Sequence, residues 1–116
     1  MSTSPITTHV LDTSRGRPAE GVPVVLERLE DSGEAIVLGR GKTDADGRLR
    51  DLLPPEPRPK PGTYRITFDT AAYFAAQGTT GFYPTVSITF HLRAPEEHHH
   101  VPLLLNPYGF STYRGS

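Results

Sequence analysis

The chain has 116 residues, with 12 Lys and Arg against 13 Asp and Glu and a formal net charge of -1. A charge this close to zero gives no electrostatic attraction for nucleic acid or for an anionic membrane, so neither is an expected partner. The absence of cysteine excludes disulfides, thiolate metal sites and a cysteine nucleophile. With 11 glycines and 12 prolines, the chain favours short strands joined by turns over a helical bundle. We therefore expect a single all-β domain over residues 1–116.

The sequence also predicts a cytoplasmic protein. No apolar run approaches the roughly 20 residues that span a bilayer. The N-terminal segment MSTSPITTHVLD has neither the basic region nor the long apolar stretch of a secretory signal.

Apolar–polar alternation broken by Gly, Pro and Asp turns predicts eight strands. In chain order these are 6–12, 22–29, 35–39, 48–53, 63–69, 85–92, 98–106 and 110–113. Residues 70–77 are rich in helix formers and predict about two helical turns, which Gly78 ends. The segment 44–47 predicts a tight loop, and the proline-rich segment 54–61 cannot pair in a central ladder. Eight strands with one short helix are typical of a β-sandwich.

Side chains alternate between the two faces of a strand, and this sorts the histidine-bearing strands. On the first strand, Ile6, Thr8 and Val10 fit a core, while Thr7, His9 and Leu11 lie on the opposite face. On strand 98–106, the core set is His99, Val101, Leu103 and Leu105, and the other face carries His98, His100, Pro102 and Leu104. On the last strand, Ser111 and Tyr113 share one side.

Three apolar residues, Leu11, Pro102 and Leu104, thus lie on faces that are usually polar in an antiparallel sandwich. Together with nearby His and Tyr side chains, they indicate the wall of a pocket or a contact between subunits. The alternative is that they are ordinary scattered surface residues.

Several residues are candidates for chemistry. His98-x-His100 puts two imidazoles on one strand face, and with His9 they could form a three-histidine metal site; the alternative is a structural histidine pair. Arg48 follows the Asp-Gly turn, where a rigid loop end could hold its guanidinium; the alternative is a surface arginine loosely paired with Asp44 or Asp46. No Gly-x-Ser-x-Gly motif supports a serine nucleophile, and no phosphate or dinucleotide motif is present, so no cofactor is implied.

Five segments carry a family pattern: TTHVLDT at 7–13, TDADGR at 43–48, FYP at 82–84, HVPLLL at 100–105 and STYRGS at 111–116. Together they resemble the transthyretin-related 5-hydroxyisourate hydrolases over essentially the whole chain. The most specific element is the terminal Tyr-Arg-Gly-Ser, which transthyretins that carry thyroid hormone lack. His99 is a departure, because it stands where the family has a tyrosine.

The resemblance implies a transthyretin-like, eight-stranded β-sandwich with one short helix, assembled as a homotetramer (a dimer of dimers) with substrate bound in a channel between dimers. It also implies a cofactor-independent hydrolase of urate degradation. The enzyme would open the six-membered ring of 5-hydroxyisourate at a lactam bond to give 2-oxo-4-hydroxy-4-carboxy-5-ureidoimidazoline. The alternative function is a non-catalytic, transthyretin-like carrier of a small aromatic ligand.

The resemblance further implies roles for individual residues. It makes His9, Arg48, His100 and Tyr113 catalytic, with neutral His9 or His100 as the general base on water. Arg48 offers a planar fork of donors that suits a substrate rich in carbonyl oxygens. No metal ligand is among the implied site residues. The residues implied to bind substrate are Leu11, His98, Pro102, Leu104, Ser111, Arg114, Gly115 and Ser116.

Overall fold

The computed structural model describes residues 4–116, which form nine strands and one short helix. The strands are β1 (Ile6–Asp12), β2 (Arg17–Pro18), β3 (Pro23–Leu29), β4 (Ala35–Lys42), β5 (Arg48–Leu49), β6 (Gly62–Phe68), β7 (Val86–Leu92), β8 (His99–Asn106) and β9 (Gly109–Thr112). The helix α1 covers Thr70–Ala75. The predicted all-β class with one short helix is confirmed. Within residues 4–116, no helix is long and apolar enough to cross a bilayer.

The strands form two sheets. One has the order β2-β1-β8-β9, with β5 paired to the other part of β1, and the second has the order β4-β3-β6-β7. β1 and β8 pair in parallel, so that His9 lies opposite Pro102, although more than 90 residues separate them in sequence. The parallel pair therefore joins the strands that carry His9 and His100.

The core lies between the two sheets. Ile6, Thr8 and Val10, the residues that alternation assigns to the interior of β1, are all buried. On β8, the predicted core set is buried as well, including His99. The other sheet contributes the two largest fully buried side chains, Tyr64 and Phe68, together with Leu26, Ile66 and Val86. Because one face of each strand fills this core, the opposite face of β1 and β8 is left for the site.

Two predicted strands end more than one residue away from the observed end, for a shared reason. The strand expected over 48–53 is only β5, since the chain leaves β1 after Leu49 and buries Leu52 in the core instead. The strand expected to end at Gly39 continues to Lys42. A side chain at Gly39 would collide with the carbonyl oxygen of Leu52, and one at Gly41 would lie 2.9 Å from Leu49 Cδ1. Because these two glycines have no side chain, Leu49 and Leu52 can pack closely against β4, and the strand continues past both glycines.

A ninth strand, β2, lies in the segment expected to be a turn. It pairs only Leu11 with Pro18 and Asp12 with Arg17 at the edge of the sheet. Two residues are too few for an alternating pattern to appear in the sequence.

The helix is shorter than expected, ending at Ala75 instead of residue 77. Asp69 caps its start by accepting a hydrogen bond from the Ala72 N–H at 3.0 Å, and Gly78 follows with φ of 70°. The Tyr73 hydroxyl donates to the buried Asp12 carboxylate at the end of β1, at 2.7 Å. This bond ties the helix to the sheet that carries the candidate site.

Candidate active site

The outward face of β1, β5, β8 and β9 brings together residues that are distant in sequence. Three rows cross this face, and each row follows from the strand register. The rows are Thr7–His100–Gly115, Arg48–His9–Pro102 and Leu11–Leu104–Ser111. The sorting of side chains by alternation therefore places the histidines and leucines on one face, as predicted.

A rigid turn sets the position of Arg48 beside His9. One oxygen of the Asp44 carboxylate accepts the backbone N–H groups of Asp46 and Arg48, each at 2.9 Å. The bond from the Arg48 N–H is the main cause that lowers the pKa of Asp44 below its ordinary value. Gly47 has φ of 75°, and a side chain there would meet the Val10 carbonyl oxygen, so the turn requires glycine.

The Arg48 guanidinium forms no ion pair with any residue in the described range 4–116. Asp44 pairs with the exposed Arg50 instead, at 3.5 Å. The alternative of a loose pair between Arg48 and Asp44 or Asp46 is therefore not what the structure contains. The donors of Arg48 remain available to a ligand with carbonyl oxygens.

His9 has a defined tautomer. Its Nε2 lies 2.9 Å from the backbone carbonyl oxygen of Asp46, which can only accept, so Nε2 carries a hydrogen. The lone pair of the neutral ring is then on Nδ1. Burial and the positive charge of Arg48 lower the pKa of His9, partly offset by the bond to Asp46.

His98 and His100 converge on the hydroxyl of Thr7. Thr7 Oγ1 lies 2.8 Å from His98 Nε2 and 2.8 Å from His100 Nδ1, and the two ring centroids are 6.1 Å apart. Burial lowers the pKa of His100, and the charges of His98, Arg48 and His9 lower it further. His100 is therefore neutral at neutral pH and within electrostatic reach of the other basic groups.

Thr7 was not among the predicted site residues. It shares its face with His9 and Leu11, so the alternation that identified those two residues also contained Thr7. A threonine on a strand has no intrinsic chemical signature, and only the register opposite His100 reveals its role.

Two cavities meet at His100. The first has a volume of about 140 Å³ and is lined by Thr7, Thr8, Arg48, Arg50, His98, His100 and Ser116. The second, about 330 Å³, lies against Ile88 and Phe90 of β7 and is also lined by Tyr113 and Arg114. The structure thus brings Arg48, His98, His100 and Ser116 together in one cavity, and places Tyr113 and Arg114 across His100 in the other. Arg50 lines the first cavity without having been predicted.

The C-terminal segment folds back against His100. The Gly115 N–H donates to the His100 carbonyl oxygen at 2.9 Å, and a side chain at Gly115 would lie 2.6 Å from His100 Cδ2. Glycine is therefore needed for this close approach. β9 ends at Thr112, so the alternation of a strand does not extend to Tyr113. The next residue, Arg114, forms an ion pair with Glu97 at 2.9 Å.

The expected apolar patch is smaller than alternation indicated. Pro102 is buried within the single chain, since the C-terminal segment lies over it and a side chain at Gly115 would come 3.2 Å from Pro102 Cγ. Pro102 shares the outward face with His9, as alternation predicts, but the C-terminal segment covers it. Leu11 and Leu104 are half-buried, and Ser111 is exposed opposite Leu104.

Within residues 4–116, no three His, Asp or Glu side chains are grouped to hold a metal ion. The facing nitrogens of His98 and His100 both bond to the Thr7 hydroxyl. What the arrangement offers is two imidazoles and a guanidinium beside a small cavity, which suits proton transfer and the stabilisation of a developing negative charge.

The chain is similar in sequence to known proteins over nearly its whole length. A family model described as the HIUase/Transthyretin family matches residues 6–115. The 5-hydroxyisourate hydrolase of Salmonella dublin is 47% identical over 111 residues, covering 96% of this chain and 80% of the relative. The mouse (Mus musculus) 5-hydroxyisourate hydrolase is 46% identical over 114 residues, covering 97% and 96%.

Two solved structures have the same fold. The 5-hydroxyisourate hydrolase of Klebsiella pneumoniae has a TM-score of 0.84 and 40% identity, covering all of both chains. Sea bream transthyretin in complex with thyroxine has a TM-score of 0.88 and 32% identity, covering 97% of this chain and 95% of that one. The fold alone does not separate an enzyme from a carrier, because both match it closely.

Proposed function

The chain belongs to the HIUase/Transthyretin family, and we propose that it is a 5-hydroxyisourate hydrolase of urate degradation. It opens the six-membered ring of its substrate by hydrolysing a lactam bond, which gives 2-oxo-4-hydroxy-4-carboxy-5-ureidoimidazoline. The observation that carries this proposal is the meeting of Arg48, His98 and His100 at one cavity, with His9 beside Arg48. A passive binding channel has no need of such bases or of a guanidinium that forms no ion pair within residues 4–116.

Hydrolysis of a lactam requires a base for water and stabilisation of the oxyanion. His100 is the base, because its pKa is lowered by burial and nearby positive charge, so that the ring is neutral at working pH. General-base catalysis contributes about a hundredfold to ten-thousandfold. Arg48 donates to the oxygen that becomes negative, an interaction worth on the order of 3 kcal/mol per donor.

Other residues orient the substrate. Ser116 lines the cavity of Arg48, and Tyr113 borders His100 from the second cavity. His9 donates through Nε2 to Asp46, which leaves Nδ1 to accept a hydrogen bond from substrate or water. We assign the reaction to the cytoplasm, since a chain without cysteine needs no oxidising compartment to fold.

A second copy of the chain completes the site. The cavity at Arg48 holds about 140 Å³, whereas small-molecule sites usually have at least about 300 Å³. The half-buried Leu11 and Leu104 lie on the same outward face. These features support a homotetramer, a dimer of dimers with the sites at the boundary between dimers.

Leu104→Glu is expected to dissociate the tetramer and lower activity. A carboxylate buried without a partner costs several kcal/mol, on the order of what holds such a contact together. Size-exclusion chromatography with light scattering measures the assembly. Val37→Glu is the matched control, because Val37 is exposed on β4 of the other sheet. An intact tetramer in Leu104→Glu would show that Leu104 lies outside the interface.

A transthyretin-like carrier is the second candidate function, favoured by the TM-score of 0.88 with thyroxine-bound transthyretin. An absorbance assay with urate and urate oxidase separates the two. The transient signal of 5-hydroxyisourate should decay faster with catalytic amounts of this protein. A carrier would leave the decay rate unchanged when the protein is far below the substrate concentration.

The same assay tests the three-histidine metal site. Protein dialysed extensively against a chelator should keep its full activity, because His98 and His100 have the Thr7 hydroxyl as their shared partner. Loss of activity that added zinc restores would instead establish a metal-activated water.

A further inference from the structure

A buried hydroxyl stands between the two histidines of the candidate site. Thr7 is 5% exposed, and its Oγ1 lies 2.8 Å from both His98 Nε2 and His100 Nδ1. The parallel register of β1 and β8 puts Thr7 directly opposite His100. The sheet ladder thus fixes the backbone of Thr7, and the stiff β-branched side chain leaves only χ1 to place the hydroxyl.

The two contacts constrain each other. A hydroxyl has one hydrogen to donate, and a neutral imidazole carries one N–H. Thr7 can therefore donate to only one of the two rings, and the other ring must donate to Thr7. The tautomers of His98 and His100 are coupled through this single oxygen.

We propose that Thr7 is a positioning residue that fixes the tautomer of His100. The Nδ1–H of His100 donates to Thr7 Oγ1, and the Thr7 hydroxyl donates to His98 Nε2. The lone pair of His100 is then held on Nε2, the nitrogen that takes a proton from water. The catalytic part of this proposal rests on the proposed function, whereas the tautomer itself does not.

The groups around His100 favour its Nδ1–H tautomer over its Nε2–H tautomer. Arg48 and Arg50 line one cavity beside the ring and Arg114 lines the other, and these side chains only donate hydrogen bonds. Within residues 4–116, Nε2 of His100 has no hydrogen-bond partner. A lone pair at Nε2 complements the donors around it, while an Nε2–H would face them with a further donor. His98 is exposed, so water satisfies its remaining Nδ1–H.

Nitrogen-15 NMR of the ligand-free protein above pH 7 tests the proposal directly. Long-range proton–nitrogen correlations distinguish a protonated ring nitrogen from one with a lone pair. Wild type and Thr7→Ser should both show His100 as the Nδ1–H tautomer. Thr7→Val, which keeps the shape and removes the hydroxyl, should shift His100 toward Nε2–H. An Nε2–H tautomer in the wild type, or no shift in Thr7→Val, would overturn the proposal.

A second variant changes the hydrogen bonds of the Thr7 hydroxyl while leaving Thr7 in place. In His98→Ala the Thr7 hydroxyl loses its acceptor and turns to Nδ1 of His100, so His100 should again move toward Nε2–H. An unchanged tautomer there would contradict the coupling, whether or not Thr7→Val folds.

Kinetics separate positioning from packing. Thr7→Val should lower kcat about 10- to 100-fold with KM within about twofold, as expected for loss of a group that orients a reacting residue. Thr7→Ser should restore kcat. A Thr7→Val enzyme with wild-type kcat and a shifted tautomer would remove His100 from the base role. A wild type without hydrolase activity would refute the proposed function and leave the tautomer result standing.

Discussion

His100→Asn is expected to lower kcat at least about a hundredfold, the low end of the effect of losing a general base. Asparagine still reaches toward Thr7 with polar atoms but has no basic nitrogen. Steady-state rates with 5-hydroxyisourate made in situ from urate measure the effect. The assembly should be unchanged by light scattering. Wild-type turnover in this variant would exclude His100 as the base.

His91→Asn is the comparison variant, because His91 lies on β7 and lines the second cavity but not the cavity of Arg48, so its loss should lower kcat far less than the loss of His100. The two variants make the same chemical change at a half-buried and at an exposed imidazole. A comparable loss in both would indicate a general effect of removing histidine.

The pH profile gives a second readout of the same residue. Burial, followed by the positive charges of His98, Arg48 and His9, lowers the pKa of His100 from its ordinary value of 6.5. The base is active when deprotonated, so the acid limb of kcat/KM of the wild type should have its midpoint below pH 6.5. In His100→Asn, this acid limb should be lost from the residual activity.

Alternation predicted the outward face of the site but not how its parts come together. His9 and Leu11, and likewise His100 and Leu104, share a face because the strand period is two. The parallel pairing of β1 with β8 joins segments some 90 residues apart and leaves no local signal in the sequence. The parallel pairing follows from the sequence only through the resemblance to the hydrolase family, which implies the transthyretin-like fold.

The C-terminal segment marks the limit of the strand pattern. Tyr113 was assigned to the side of Ser111 by extending alternation beyond Thr112, where β9 ends. After that point the chain turns to pair Gly115 with His100, which buries Pro102 and carries Tyr113 to the second cavity. Whether a terminal segment continues a strand or crosses over its neighbour depends on tertiary contacts, which period-two patterns do not contain.

Steric contacts at a glycine explain why the strand beginning at residue 35 is longer than predicted. The sequence predicts that the strand beginning at residue 35 ends at Gly39. Gly39 is instead the site where the backbone of Leu52 crosses β4. By contrast, the turn before Arg48 was predicted correctly, since Asp44 and Gly47 form it through local bonds that the sequence displays.

Arg48→Lys is expected to lower kcat by about a hundredfold to a thousandfold, the usual cost of losing one donor to an oxyanion. Lysine keeps the positive charge but replaces a planar fork of donors with a single flexible ammonium. The retained charge still lowers the pKa of His9 and His100, so the acid limb of the pH profile should remain where it is in the wild type. The loss of rate then reports geometry at the reacting oxygen and not a change in the bases.

Arg17→Lys is the matched control, because Arg17 is exposed on the short edge strand β2. It should keep the wild-type kcat, since its guanidinium lies outside the cavity lined by Arg48. An Arg48→Lys enzyme with nearly wild-type kcat but a raised KM would instead mean that Arg48 binds ground state and transition state equally. In that case the stabilisation of the oxyanion must come from another donor at the cavity, and Arg50 is the cation already lining it.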